Sequence, residues 1–225
     1  MGSSNNNLMR WLRGADSSSS KPDGSAKSAP RTRRHCIGLG DFIRDLSGSG
    51  EEKKMCVLDL GPTSPTNIAL LTELGARVYN EDILRESQDQ NYFVKQEDGS
   101  LQLDPARFFA ENLDYPAGHF DAILFWDVAD YLPESLVKPL VERLQAMLKP
   151  KGNLLAFFHT KDAGPESLYS RHHIVQKDTL ELEPIQGFHL QRIFNNRHIE
   201  NLFKDFASRK FFLGRDNIRE VLMVR

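Results

Sequence analysis

The chain has 225 residues, of which 40% are hydrophobic and 27% charged, with a formal net charge of −2 at pH 7. That length is one domain's worth or slightly more, and the balanced charge argues against a bulk polyanion as partner. Cys36 and Cys56 show neither CxxC nor metal-ligand spacing, which excludes a disulfide framework and a zinc site. Apolar runs such as Ala122 to Trp126 are far shorter than the roughly 20 residues that cross a bilayer, and no cleavable signal opens the chain, so the expected location is the cytoplasm.

Residues 1–35 are rich in Ser, Asn, Gly, Lys and Arg and carry almost no apolar residue after Leu12. Such a segment buries too little surface to offset its ordering entropy, so it reads as a disordered tail ahead of one folded domain, 36–225. Leu8, Met9, Trp11 and Leu12 are too few for a stable helix. Arg31, Arg33 and Arg34 read as a solvated basic linker.

From Cys36 onward, strand and helix patterns alternate, which predicts a Rossmann-like α/β fold: a seven-stranded, mostly parallel sheet with helices on both faces and a C-terminal antiparallel strand. A short helix is expected over 39–46, a buried strand over Met55 to Leu60, a helix from Thr66 to Leu74 and a strand from Ala76 to Tyr79. The segment 91–103, centred on Asp98-Gly99, has the marks of a small hairpin. Phe120 to Trp126 reads as a central strand. Apolar residues then recur at helical spacing from Leu136 to Leu148, and Pro150 and Gly152 stop that helix before a strand over Asn153 to His159. A helix over Ile199 to Phe206 and a hairpin of Lys210 to Leu213 with Glu220 to Val224 complete the pattern.

In a sheet of this kind, ligands bind beyond the carboxyl ends of the strands, and four segments fall there. The first, VLDLGPTSPTN, places Asp59 and Gly61 in a strand-to-helix turn, with Ser64 and Thr66 as capping candidates. The second offers Glu81, with Asp82 as a second choice, as acceptors for the hydroxyls of a ribose. The third, FAENLDY, would lay Ala110, Glu111 and Asn112 beside a purine at the end of a strand. The fourth, WDVADYL, brings Trp126, Asp127 and Asp130 toward the reacting group. His159, Tyr169, His172 and His173 follow the fifth strand, where they could touch an acceptor. Each residue also has a plain structural reading, Gly61 as a tight turn, Trp126 as core and the acids as helix caps.

This order of segments resembles the class I S-adenosylmethionine-dependent methyltransferase family over roughly Lys53 to Phe158. The resemblance implies S-adenosylmethionine as cofactor. It assigns Asp59 and Gly61 to the wall beside the methionine part, Glu81 to the ribose and the stretch around Glu111 and Asn112 to the adenine. LKPKGNLL is similar to the family's turn into the fifth strand. Thr63, Ser64 and Pro65 stand where the family carries further glycines, and Phe109 stands where it carries an acid.

The resemblance implies methyl transfer to an unidentified acceptor, a small molecule or protein rather than nucleic acid, since no Asn-Pro-Pro-Tyr-type motif follows the central strand. Because a sulfonium methyl is already electrophilic, alignment of the acceptor is the main requirement. Asp127, Asp130 or His159 could act as base for a hydroxyl or ammonium acceptor. The altered turn also admits an alternative, a catalytically inactive binding or scaffold protein on the same fold. A nicotinamide-dependent oxidoreductase would need G-x-G-x-x-G, which GPTSPTN lacks.

Overall fold

The computed structural model describes residues 30–48, 54–161, 167–214 and 216–225. The expected tail therefore lies outside the described residues as far as position 29, including the Leu8 to Leu12 turn. Its last part does not behave as a tail: Thr32–His35 is a strand, β1, antiparallel to β9 (Thr179–Pro184). Arg31 and Arg33 donate to Glu183 and Glu181, at 3.0 and 2.9 Å, and Arg34 turns inward. Arg31 and Arg33 thus form ion pairs with β9 and Arg34 a buried one with Glu220, where the sequence reading has a solvated linker.

After β1 come α1 (Ile37–Ser47), β2 (Met55–Asp59), α2 (Pro65–Glu73), β3 (Ala76–Asn80) and the single turn α3 (Ile83–Glu86). Helix α2 starts where Pro65 supplies a preset backbone angle and Ser64 accepts from Asn67 N. The expected hairpin forms as β4 (Phe93–Lys95) and β5 (Leu101–Leu103), turning at Gly99 with φ +85°. Asp104 accepts from Ala106 N and Arg107 N and, with Pro105, starts α4 (Pro105–Glu111).

β6 (Phe120–Trp126), α5 (Val128–Tyr131), α6 (Glu134–Met147) and β7 (Leu148–His159) follow. Helix α6 ends where Pro150 would interrupt it, and Lys151 takes the left-handed conformation at φ +66°. β8 (Ser170–Gln176) pairs with β9; then come α7 (Asn196–Leu202), β10 (Ser208–Leu213) and β11 (Ile218–Val224). Asn195 caps α7 by accepting from His198 N, which starts that helix three residues earlier than expected.

The main sheet has six strands, not the expected seven, in the order β10-β11-β7-β6-β2-β3. The strand expected just before Asn112 is the last turn of α4. β2, β3, β6 and β7 run parallel, and β11 is antiparallel to both its neighbours. A second sheet, β1-β9-β8, was not legible in the sequence.

Both faces of the main sheet are buried. In β6, Phe120, Ile123 and Phe125 pack with α4, α5 and α6, whereas Ala122, Leu124 and Trp126 pack with α1 and with Ile174 and Leu180 of the second sheet. From Ala122 onward the side chains alternate between two apolar faces, after a register shift following Phe120, which explains the continuous apolar run.

The second sheet is tied to the first by a buried ion pair. Arg34 donates to Glu220 at 3.0 Å and to Asp216 at 2.5 Å, and its guanidinium lies 4.8 Å from the centre of the Phe157 ring. Glu220 also accepts from Gly38 N at 2.6 Å, at the start of α1. Removing one partner of a buried pair leaves the other charge uncompensated. Arg34→Met should therefore lower unfolding stability by about 3 kcal/mol in urea titrations, and adding Glu220→Gln should recover most of the loss. A single-variant loss below about 1 kcal/mol would mark the pair as exposed in solution.

Candidate active site

The carboxylate of Asp59, at the end of β2, is buried. Trp126 Nε1 donates to its Oδ1 at 2.6 Å and Asn67 Nδ2 to its Oδ2 at 3.0 Å. Burial outweighs these two bonds and pushes the Asp59 carboxyl up to about 6. Beyond it the turn is held by Asn80, whose Nδ2 donates to the carbonyls of Asp59 and Gly61 and whose Oδ1 accepts from Thr63. A Cβ at Gly61 would sit 3.1 Å from Trp126 Cδ1, so what approaches this glycine closely is the indole of the same chain.

Trp126 ends β6 in the left-handed region, φ +51°, after a register shift against β7. Its indole stacks on the His172 ring with centroids 4.7 Å apart and planes at 4°. β8, which carries His172, is fastened to the turn and to α2. Asn67 Nδ2 donates to the His172 carbonyl at 2.9 Å and Asn67 Oδ1 accepts from Ile174 N at 2.7 Å. His173 bonds Ser64 Oγ through Nδ1 and Glu183 through Nε2, at 2.9 and 2.8 Å. A proton on Nε2 facing the Glu183 carboxylate leaves Nδ1 to accept from the serine hydroxyl.

A cleft of about 470 Å³ opens at the carboxyl ends of β6 and β7, beneath β8. Asp127, His159, His172 and Ser170 line it, with Arg34 and Lys161. His159 Nδ1 lies 2.9 Å from Asp130 Oδ2, which also accepts from His159 N at 2.7 Å. Burial would lower the imidazole's pKa, but the bond to Asp130 and the nearby Asp127 charge outweigh it and raise it above the ordinary value. Burial pushes Asp127 up to about 7 and His172 down to about 3. Among the described residues, Asp127 Oδ1 and His172 Nδ1 are buried without a hydrogen-bond partner.

The structure therefore gathers Asp59, Gly61 and Trp126 in one cluster, with Asp127, Asp130 and His159 beside it. Glu81 stands at the end of β3, half-buried, and accepts from Tyr115 Oη at 2.5 Å. Asp82 caps α3 by accepting from Arg85 N. Glu111 and Asn112 do not end a strand as expected: Glu111 pairs with Arg107 along α4, and Asn112 donates to Tyr92 Oη and to the Phe108 carbonyl. That bonding ties them to the β4–β5 side of the molecule. Sequence reasoning missed Asn67, Asn80 and Arg34. Asn80 directly precedes Glu81, and an amide at a strand end was the available signal.

With a pKa near 7 in the fold against 3.8 when free, Asp127 stays protonated while the unfolded chain has already ionised. This carboxyl thus costs no stability below about pH 4 and progressively more up to about pH 7. Asp127→Asn, which cannot ionise, should raise the thermal midpoint by several degrees at about pH 8 and change it little at about pH 4. Equal midpoints at the higher pH would show an ordinary, solvated carboxylate.

Comparison with known proteins gives the family. A family profile described as a methyltransferase domain matches residues 31–206, more than half of the chain. No curated protein matches. Among solved structures, the chain is similar to a SAM-dependent methyltransferase from Archaeoglobus fulgidus, at 13% identity over 83% of this chain and 91% of that one, with a TM-score of 0.48. It is also similar to the 1,6-didemethyltoxoflavin-N1-methyltransferase of Burkholderia thailandensis, solved with 1,6-didemethyltoxoflavin and S-adenosylhomocysteine, at 14% identity over 84% and 77% of the chains and a TM-score of 0.43. The domain match, on a six-stranded sheet of this order and direction, shows that the chain belongs to the class I S-adenosylmethionine-dependent methyltransferase family.

Proposed function

We propose that the protein transfers a methyl group from S-adenosylmethionine to a hydroxyl or amine of a small molecule held in the cleft of Asp127 and His159. One observation carries this reading: a histidine oriented by a buried carboxylate lines a cleft whose Asp127 and His172 stand next to Trp126, the residue that bonds Asp59 at the turn. The cleft's volume of about 470 Å³ suits a small ligand better than a protein segment or a nucleic acid. The groups for acid–base work are in place, and nothing favours the inactive alternative. Among the described residues no helix is long and apolar enough to cross a membrane. With two free cysteines in the chain, we assign the protein to the reducing cytoplasm.

The residues at the turn suit the donor in kind. Asp59 offers acceptors for an ammonium group, and Glu81 is half-buried at the end of β3, where it can accept from ribose hydroxyls. S-adenosylmethionine supplies an electrophilic methyl on a positively charged sulfur. His159 then takes the proton that the acceptor loses as it gains the methyl. Asp130 fixes the imidazole with its proton on Nδ1, leaving Nε2 as the base, and steadies the imidazolium that forms. Asp127, protonated near neutral pH by its burial, can donate a hydrogen bond to the acceptor.

S-adenosylhomocysteine at about 100 times its dissociation constant should add about 2.7 kcal/mol and raise the thermal midpoint by several degrees. Glu81→Ala should abolish the shift. In methyl-transfer assays against a library of phenols, alcohols and amines, His159→Gln should reduce turnover by about 10²-fold or more without altering S-adenosylhomocysteine affinity. The wild-type rate should rise with pH through an ionisation above the ordinary imidazole value. A His159→Gln protein with full turnover would remove the base, and absence of any ligand-induced shift would remove the donor site.

A further inference from the structure

The turn that faces the donor in this reading is closed. Both oxygens of Asp59 are engaged, by Trp126 Nε1 and Asn67 Nδ2, and the indole lies against Gly61 at the distance of a packed neighbour. A ligand cannot reach the backbone of Gly61 from the Trp126 side while the indole is there. We propose that Trp126, clamped by His172, is a plug in the donor site that S-adenosylmethionine displaces as it binds. The proposal rests on the methyltransferase reading and adds how access to that site is controlled.

Two features make the plug removable. Trp126 is held at φ +51°, a conformation that a bulky L-residue takes only under constraint, so its surroundings impose the position. Its second face is covered by His172 alone among the aromatic rings that stack parallel to it, on a strand whose attachment is uneven. Ile174 and Leu180 anchor that sheet in the core. The stretch around His172 and His173 is fastened to the start of α2 by polar bonds to Ser64 and Asn67, which also accepts from Ile174 N. Polar bonds can be exchanged for bonds to a ligand or water, whereas Ile174 and Leu180 cannot leave the core without exposing apolar surface. Release of the indole therefore needs exchange of the polar bonds around His172 and His173 and leaves the apolar anchors in place.

The same stretch carries unspent hydrogen-bonding capacity. Among the described residues, Asp127 Oδ1 and His172 Nδ1 are buried without a hydrogen-bond partner on the cleft side of the plug. Buried polar atoms of this kind are rare in settled structures because each costs its desolvation. A rearranged arrangement, in which the indole leaves Asp59 and His172 turns with it, gives both atoms the chance to be satisfied. The Asp59 oxygen that Trp126 releases becomes the acceptor for the incoming ligand.

The chain has two tryptophans, so Trp11→Phe leaves Trp126 as the only indole reporter. In that protein, S-adenosylhomocysteine binding measured by calorimetry should be accompanied by a red shift of tryptophan emission as the indole leaves its buried stack. Trp126→Phe, which lacks the bond to Asp59, and His172→Ala, which removes the clamp, should each bind S-adenosylhomocysteine about tenfold more tightly, the equivalent of one hydrogen bond. Circular dichroism establishes that each variant is folded. Binding with unchanged emission and weaker affinity in Trp126→Phe would make the indole a fixed wall of the site, overturning the plug and leaving the methyltransferase reading intact. No binding by the wild type or by either folded variant would overturn both.

Discussion

A carboxylate buried at the end of a central strand must be given donors, and the two that Asp59 receives organise the whole upper end of this molecule. Trp126 brings the end of β6 across to β2. Asn67 brings the first turn of α2 and, through its carbonyl oxygen and its remaining amide hydrogen, takes hold of β8 at Ile174 and His172. One ionisable group thus couples the central sheet, the turn and the covering sheet. Without a second sheet to bond, Asn67 would have little reason to be buried, and without Trp126 the turn would have no cover on this side.

The cleft beside this cluster sorts its titratable groups by environment. Burial lowers the pKa of both imidazoles, but the Asp130 carboxylate facing His159 outweighs it there and raises that pKa, whereas His172, on the covering strand, is pushed down to about 3. Asp127 and Asp130 sit three positions apart on the same turn, but Asp130 has the His159 imidazole at hydrogen-bond distance, 2.9 Å, whereas the His172 ring stands 3.9 Å from Asp127. Two histidines stand side by side with their pKa values pushed in opposite directions, next to two aspartates whose burial raises theirs. Such separation of roles within a small volume is what acid–base chemistry near neutral pH requires.

The main sheet was legible because its strands are buried on both faces and its helices are announced by Ser64, Pro65, Asp104 and Pro105. The positions of Asp59, Gly61 and Glu81 followed from that order. What escaped was built from contacts distant in sequence. β1 reads as Thr-Arg-Arg-His, and its stability comes from Glu181, Glu183 and Glu220, 148 to 186 positions away. Ala110, Glu111 and Asn112 are expected at the end of a strand, but the Asp104 cap commits the stretch before Asn112 to a helix. The use of Gly61 was also invisible, since its close neighbour is a side chain from another strand.

The pairing of β1 with β9 also bears on where the folded unit begins. Composition places the boundary at Cys36, yet a chain started there would lack the strand that covers one edge of the covering sheet. β9 would present an unpaired row of amides and carbonyls to other molecules. Glu220 would remain in the core without its guanidinium. The floor of the cleft would also lose the guanidinium that rests on Phe157. A shortened version made for crystallisation or display must keep Arg31 and everything after it, even though nothing in the local sequence announces those residues as part of the fold.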